Sequence, residues 1–365
     1  MFLTDYIKKE VDNGNFCGMV MLDLQKAFDT VDHGVLMYKL KAMGFSELAQ
    51  KWVGSYLENR TQVVDIGGKM SQPKGMDCGV PQGSVLGPLF FLLYINDLKS
   101  ACSCSLFLYA DDSAMVVSHK DKNMIENELS SALLNVSMWM ADNRLSLHLG
   151  KTESILFGTK IKLKKASSFK VLAGDIVITA KESISYLGCM LDCNLSGVGQ
   201  AHKVITQVNQ RVRFLARISK FLDEKTKLIL AGALIQPYFD YACGSWYNGV
   251  TGNLKHRLQT SQNKLIRLIL DLPIRTHLES SHFERVGWLK VEDRVSQMQL
   301  GMVHKIVNGD VPKYFRNYFK RVSEGHSYST RGSSTDFVPP DLILIWANSL
   351  FFTLELSFGT GYLVH

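Results

Sequence analysis

Ser105-Leu106-Phe107-Leu108-Tyr109-Ala110-Asp111-Asp112-Ser113-Ala114-Met115-Val116-Val117 sets two adjacent carboxylates between two apolar, β-prone runs. The pattern predicts a tight hairpin with acid at its turn. Like charges held side by side raise each other's proton affinity. A chain tolerates that cost where divalent cations sit, and magnesium is the hard, oxygen-seeking ion such carboxylates favour. An Asp-Asp turn between two surface strands would use the same residues, so the metal reading depends on what surrounds them.

Upstream, Phe16 to Leu24 reads as a buried strand that runs into an acid, Asp23. If it lies beside the hairpin, Asp23, Asp111 and Asp112 converge from two parts of one sheet. That arrangement can hold two divalent ions, one activating an attacking oxygen and one clamping leaving phosphate oxygens. Asp29 and Asp32 have a plainer reading, as acids favoured at the start of the next helix. Helices are predicted over 33–43 and 46–58, with Ser46 as N-cap, over 85–98, and over 122–143 with Ile125, Leu129, Leu133, Val136 and Met140 on one stripe. Strands are predicted at 62–66, 153–157 and 177–179, the last two framing a Lys-rich loop at 160–165, and 74–80 reads as a strand or an extended loop. The order of elements up to residue 193 predicts an α+β domain with helices on one face of an antiparallel sheet. Beyond residue 200 the pattern turns to helices alone, over 202–220, 224–238, 254–270 and 293–308. Leu254, Leu258, Leu265 and Ile269 form an apolar stripe there, with Lys255, Arg257, Lys264 and Arg267 off it.

With 365 residues, 46% hydrophobic and 21% charged, the chain has a globular composition with room for two or three domains. No window holds eighteen uninterrupted apolar residues, and the start lacks the basic-then-apolar order of a signal peptide. No membrane association is expected, and an intracellular setting, nuclear or cytoplasmic, is. The seven cysteines are odd in number and scattered, without zinc-module spacing, as in a reduced protein with buried thiols. The net charge of +7 is uneven. Residues 200–331 hold 21 Lys+Arg against 10 Asp+Glu, and the remainder 20 against 24. A basic helical part after an acid-leaning part suits a polyanionic partner, although ordinary surfaces carry such an excess too.

Gly79-Val80-Pro81-Gln82-Gly83-Ser84-Val85-Leu86-Gly87-Pro88 is the second unusual segment. Its glycines allow close backbone approach to a ligand, or simply a sharp strand-to-helix turn. At these residues the chain resembles the reverse transcriptases. Phe16 to Asp29, with Asp-Leu-Gln-Lys-Ala-Phe-Asp, resembles motif A, Gly79 to Leu98 motif B, and Phe107 to Val116 motif C. Leu145 to Glu153 is similar to motif D, and Tyr186-Leu187-Gly188 to motif E. The wording of the segments is most similar to polymerases of non-LTR (LINE-type, jockey-like) retrotransposons, over roughly residues 1–335.

The resemblance implies a right-hand polymerase palm at 1–193, a helical thumb-like region at 200–335 and an irregular apolar tail at 336–365. It implies RNA-directed DNA synthesis on an RNA template and DNA primer, with dNTPs as substrates and two Mg2+ ions, or Mn2+ in their place. Asp23, Asp111 and Asp112 would hold metal, helped by the Leu24 carbonyl. Phe28 would stack under the incoming sugar and exclude a 2′-hydroxyl. Pro81, Gln82 and Gly83 would form the nucleotide-binding turn, Lys151 would assist the leaving pyrophosphate, and Tyr109, Tyr186, Leu187 and Gly188 would touch the primer. Phe28 has a second reading as a core aromatic, and Lys151 as a solvated residue.

Three departures accompany the resemblance. Only 22 residues precede Asp23, so the fingers region is expected to be largely missing, together with the family's upstream endonuclease. His148 stands where motif D usually has Asn. Residues 341–365 do not follow the family's Arg/Lys-rich close and read as out-of-frame or intron-derived sequence. Two classes of function follow: a polymerase that works with the missing fingers and endonuclease regions, or a catalytically inactive remnant that at most binds nucleic acid. A viral RNA-dependent RNA polymerase is a third, opposed by Phe28, because such enzymes must accept the 2′-hydroxyl.

Overall fold

The computed structural model of the protein describes residues 2–166 and 168–312, with the short strands Lys320–Arg321 and Phe337–Val338. The chain divides into two compact units, Asn15–Glu182 and a second comprising Met1–Gly14 with Ser183–His365. The opening helix α1 (Phe2–Asp12), which the sequence reading grouped with 1–193, belongs to the second unit.

The Asn15–Glu182 unit begins with β1 (Phe16–Leu22), followed by α2 (His33–Ala42) and α3 (Glu47–Leu57). Both helices start where side-chain oxygens satisfy otherwise unpaired N–H groups. Asp32 Oδ1 accepts from Val35 N at 2.9 Å, and Ser46 Oγ from Ala49 N at 3.3 Å. Asp32 is therefore the helix-start acid that was expected. The strand predicted at 62–66 and the strand or extended loop at 74–80 are, in the structure, part of four two-residue pieces, β2 (Thr61–Gln62), β3 (Asp65–Ile66), β4 (Lys69–Met70) and β5 (Lys74–Gly75). Gly67 and Gly68 close the inner pair, and Thr61–Gln62 pairs with Lys74–Gly75.

The helix expected over 85–98 is α4 (Leu86–Ile95) followed separately by α5 (Leu98–Ala101). The break has a physical cause in Lys39, whose Nζ donates to the Tyr94 carbonyl at 2.6 Å and to Asp97 Oδ1 at 2.5 Å. The Tyr94 carbonyl is the acceptor that Leu98 would need to continue the helix.

The predicted hairpin is β6 (Ser105–Tyr109) and β7 (Asp112–His119), followed by the long helix α6 (Lys122–Asp142) and β8 (Glu153–Phe157). Together they form a four-stranded antiparallel sheet in the order β6-β7-β1-β8. α6 lies on one face, with all five residues of its predicted stripe buried. Its seat is Gly18 on β1, where an added Cβ would meet Ile125 Cγ2 at 2.3 Å and Leu129 Cδ1 and Phe169 Cζ at 2.9 Å. Gly18→Ala is therefore expected to destabilise this unit by about 1–3 kcal/mol. Urea denaturation reads the effect, and a midpoint equal to wild type would refute the packing described.

The Lys-rich segment read as a loop is a helix, α7 (Lys160–Lys165). Thr159 Oγ1 caps it by accepting from Lys162 N, and Leu163 packs against the core, a single anchor too small to show as periodicity. β9 (Lys170–Ala173) and β10 (Ile176–Thr179) complete the unit as a hairpin beside α6.

In the second unit, β11 (Ser183–Tyr186) and β12 (Cys189–Asp192) form a hairpin. The helices α8 (Val198–Ile218), α9 (Glu224–Leu234), α10 (Gln236–Asp240), α11 (Cys243–Trp246), α12 (Gly252–Ile269), α13 (Ser280–Val286) and α14 (Val291–Asn308) follow. The helix expected to run from 224 to 238 ends at Leu234 because Pro237 opens the next one. α8 packs on α12, and the stripe Leu254, Leu258, Leu265 and Ile269 is buried, leaving Arg257 and Lys264 exposed. Lys203, Arg213, Arg217 and Lys220 are exposed along α8 and the turn after it. The expected tail at 336–365 lies outside the described residues, apart from β14 (Phe337–Val338), which pairs with β13 (Lys320–Arg321). Among the described residues, no helix is long and apolar enough to cross a membrane. The α+β sheet with helices on one face, followed by helices, is the architecture read from the sequence.

Candidate active site

Strand register brings the acids together. Tyr109 pairs with Asp112, so Ala110-Asp111 is a two-residue turn. Ala110 has φ +52°, a left-handed value that two-residue hairpins require and non-glycine residues resist. Leu22 on β1 pairs with Ser113, the last pair of that ladder, so Asp23 leaves β1 beside Asp112. Beyond β1 the chain is held on its other edge, where Gln25 N donates to Ser146 O and His148 N to the Asp23 carbonyl. In that pairing the N–H and C=O of Leu24 point to the opposite edge, the one on which β7 lies.

The Asp112 carboxyl holds its proton above the usual carboxylate range. Partial burial is the main cause, reinforced by the charges of Asp111 and Asp23. Three acids therefore feel one another, on a donor set made of oxygen alone, which suits a hard divalent cation. They are not drawn into a closed cage: among the described residues, no three His, Cys, Asp or Glu side chains are gathered closely enough to hold a metal ion.

The turn after β1 and the Pro-Gln turn are fastened to each other. Gly79 N donates to Val31 O and Val80 N to Phe28 O, both at 2.8 Å. His33 Nε2 meets the Gly79 carbonyl at 2.8 Å, and Gln82 Nε2 donates to Asp29 Oδ1 at 2.9 Å. Gly79 has φ +89°, and a Cβ there would stand 2.9 Å from the Asp29 carbonyl, so only glycine permits this approach. Gly83, at φ +79°, closes the turn, while the Pro81 carbonyl accepts from Ser84 Oγ at 2.7 Å. Phe28 is half-buried, its ring tilted against Phe91 with centroids 4.7 Å apart. A cavity of about 800 Å³ opens beside these turns, lined by Lys26, Asp29, Arg60, Pro81 and Gln82 among others.

Tyr109 is exposed on the strand that enters the acidic turn. Lys151 is exposed in the turn before β8, its N–H bonded to His148 O at 2.9 Å, and it forms no ion pair among the described residues. Tyr186, Leu187 and Gly188 belong to the second unit, at the turn of the β11–β12 hairpin. Leu187 and Gly188 both have positive φ, and their carbonyls accept from Tyr241 Oη at 2.6 Å and Lys203 Nζ at 2.8 Å. The sequence carries no sign that Asp29 is a partner of Gln82. Fifty-odd residues separate the two, and no local pattern signals such a bond.

Residues 4–191 match the family described as Reverse transcriptase (RNA-dependent DNA polymerase). The chain is similar to a probable RNA-directed DNA polymerase from transposon BS of Drosophila melanogaster, 29% identical over 81% of this chain and 33% of the relative. It is also 27% identical to the probable RNA-directed DNA polymerase from transposon X-element of the same fly, over 73% of this chain and 30% of that one. The RNA-directed DNA polymerase from the Drosophila melanogaster mobile element jockey is 27% identical, over 62% of this chain and 25% of the relative. The chain thus spans about a third or less of the length of these relatives.

Proposed function

Because this chain belongs to the reverse transcriptase family, in its LINE-type branch, we propose that its Asn15–Glu182 unit adds deoxynucleotides to a primer 3′-hydroxyl on an RNA template. The family works with divalent metal ions. The observation that carries the reading is the pairing of β1 with β7 up to Leu22 and Ser113, which brings the next residue, Asp23, beside the Asp111-Asp112 turn. The alternative of a plain surface turn does not account for a third acid arriving from another strand.

Asp23, Asp111 and Asp112 would hold the metal, with the Leu24 carbonyl as a further oxygen donor. Two Mg2+ ions bound there would ease deprotonation of the 3′-hydroxyl and offset charge on the departing pyrophosphate. The chain's own part is to position the reactants. Phe28, braced by Phe91, would close the space a 2′-hydroxyl needs. The Pro81-Gln82-Gly83 turn would floor the nucleotide, and the exposed Lys151 would protonate or neutralise the leaving group. Tyr109 would support the primer end. The turn at Tyr186-Leu187-Gly188 would meet the primer, and the exposed cations of α8 and α12 would follow the duplex backbone. Seven scattered cysteines, odd in number, suit a reduced intracellular setting, nuclear or cytoplasmic.

Primer extension with the 365-residue chain on poly(rA)/oligo(dT), with Mg2+ or Mn2+, tests the proposal. Metal-dependent dTMP addition is the expected result. No addition with either ion, by a chain shown to be folded, would overturn it in favour of an inactive remnant.

A further inference from the structure

Cys102 and Cys104 meet at the foot of β6. Their sulfurs lie 3.4 Å apart, with exposed Ser103 the one residue between them. Both flanks hold the pair in place. Before it, α5 is seated by the fully buried Leu98 and closes with Cys102 N donating to Lys99 O. After it, Ser105 and Leu106 pair with Val116 and Met115 on β7. Each cysteine packs against the core and is half-buried, which leaves part of it in solvent.

The two thiols are not equivalent. A hydrogen bond from Cys104 brings the Cys102 thiol down to about 7, against the contrary effect of burial. Cys104 is pushed up, by giving that hydrogen bond, by burial and by the charges of Cys102 and of Glu128 on α6. One sulfur is thus ionised just above neutral pH while its neighbour keeps a proton, the division between an attacking and a resolving thiol. Elsewhere burial prevails. It pushes up the thiols of Cys189 and Cys243, the latter to about 11, and buried thiols of that kind are inert.

We propose that Cys102 and Cys104 form a modification site for hydroperoxides, at which oxidation of Cys102 ends in a reversible Cys102–Cys104 disulfide. The Cys102 thiolate attacks one peroxide oxygen and breaks the O–O bond, forming a sulfenic acid. The departing oxygen takes up a proton and leaves as water or an alcohol. The Cys104 thiol then attacks the Cys102 sulfur, and its proton leaves with the hydroxyl as water. Two thiols give up two electrons, and one hydroperoxide is reduced. Closure moves the sulfurs only from 3.4 Å to about 2.0 Å. Contact made in advance gives the second step the advantage of an intramolecular reaction. A partly exposed disulfide is the labile kind, which a dithiol reductant reopens. The pair stands at the opposite end of β6 from the acidic turn, so no metal-binding group is consumed and the polymerase reading is not required.

The test treats the reduced 365-residue chain with hydrogen peroxide at pH 7, then alkylates the remaining thiols and maps them by mass spectrometry. The fragment holding Cys102 and Cys104 is expected to lose two hydrogens and escape alkylation before the exposed Cys78 reacts. Dithiothreitol should restore both thiols. In urea the lead over Cys78 should vanish, because the hydrogen bond that activates Cys102 belongs to the fold. Cys104→Ser keeps a donor but cannot resolve, and should stop at a sulfenic acid that dimedone labels on Cys102. Cys104→Ala lacks the donor and should slow that labelling about three- to fivefold, since a weaker acid is less ionised but its thiolate more nucleophilic. A folded wild-type chain in which Cys78 reacts first, or in which Cys102 passes to sulfinic acid without closing the disulfide, would overturn the inference. So would a Cys104→Ser chain labelled at another cysteine instead of Cys102. The wild-type result decides the matter even if a variant does not fold.

Discussion

Replacing Asp112 by asparagine is expected to abolish nucleotide incorporation while leaving the Asn15–Glu182 unit folded and more stable than wild type above neutral pH. Loss of a carboxylate oxygen from the donor set should cost on the order of 10³-fold in extension rate. The stability gain follows from the same charges. Burial and the neighbouring Asp111 and Asp23 hold the Asp112 proton above the usual range, so the folded state keeps it to higher pH than the unfolded chain does. Between the unfolded value and the raised one the folded state binds more protons, and stability falls as pH rises through that window. Above it the penalty is complete, and asparagine carries none of it. The difference in Tm between Asp112→Asn and wild type should therefore be smallest in acid and largest above the raised value. Added Mg2+ should raise the Tm of wild type and not that of the variant, since only wild type keeps the site that the ion stabilises. A variant that extends primers at near-normal rates, or one less stable than wild type at high pH, would contradict this account.

That coupling of cost and function shows what the amino-acid sequence could and could not convey. The hairpin was legible because Tyr109-Ala110-Asp111-Asp112 sits between two apolar runs, and α6 because its stripe repeats over about four turns. The cap at Ser46 and the helix-start acid at Asp32 were readable for the same reason, since each acts on atoms within three residues of itself. What stayed hidden depends on distant partners. Nothing near Lys39 announces that it will turn the Tyr94 carbonyl and divide a helix. Asp29 looks like any acid before a helix until the chain returns to it at Gln82. The Leu187-Gly188 hairpin has strands of four residues, too short to carry a face pattern that says which unit it joins.

Phe28→Ala should open the enzyme to ribonucleotides, the second large effect. The ring can exclude one oxygen only if it cannot move, and the structure supplies two restraints. Its backbone carbonyl accepts from Val80 N at 2.8 Å, and its face rests on Phe91, itself fully buried on α4. Steric selection by a braced ring concerns a volume of about one added hydroxyl, for which discrimination of about 10- to 200-fold is the ordinary range. Alanine should therefore lower the dNTP-over-rNTP preference by about that factor, mainly by raising kcat/KM for rNTP. It should also cost about 2 kcal/mol of stability, below the figure for a fully buried Phe because this ring is half in solvent. The brace makes a sharper prediction than the truncation. Phe91→Leu leaves Phe28 in place but loosens it, and should give an intermediate loss of sugar selection with dNTP incorporation nearly intact. Single-nucleotide extension with matched dNTP and rNTP measures both variants. If Phe28→Ala kept full selection while still extending with dNTP, Phe28 would be a core aromatic and no more. If Phe28→Ala lost selection and Phe91→Leu did not, the ring would act without its brace, and rigidity would have to come from the backbone bond alone.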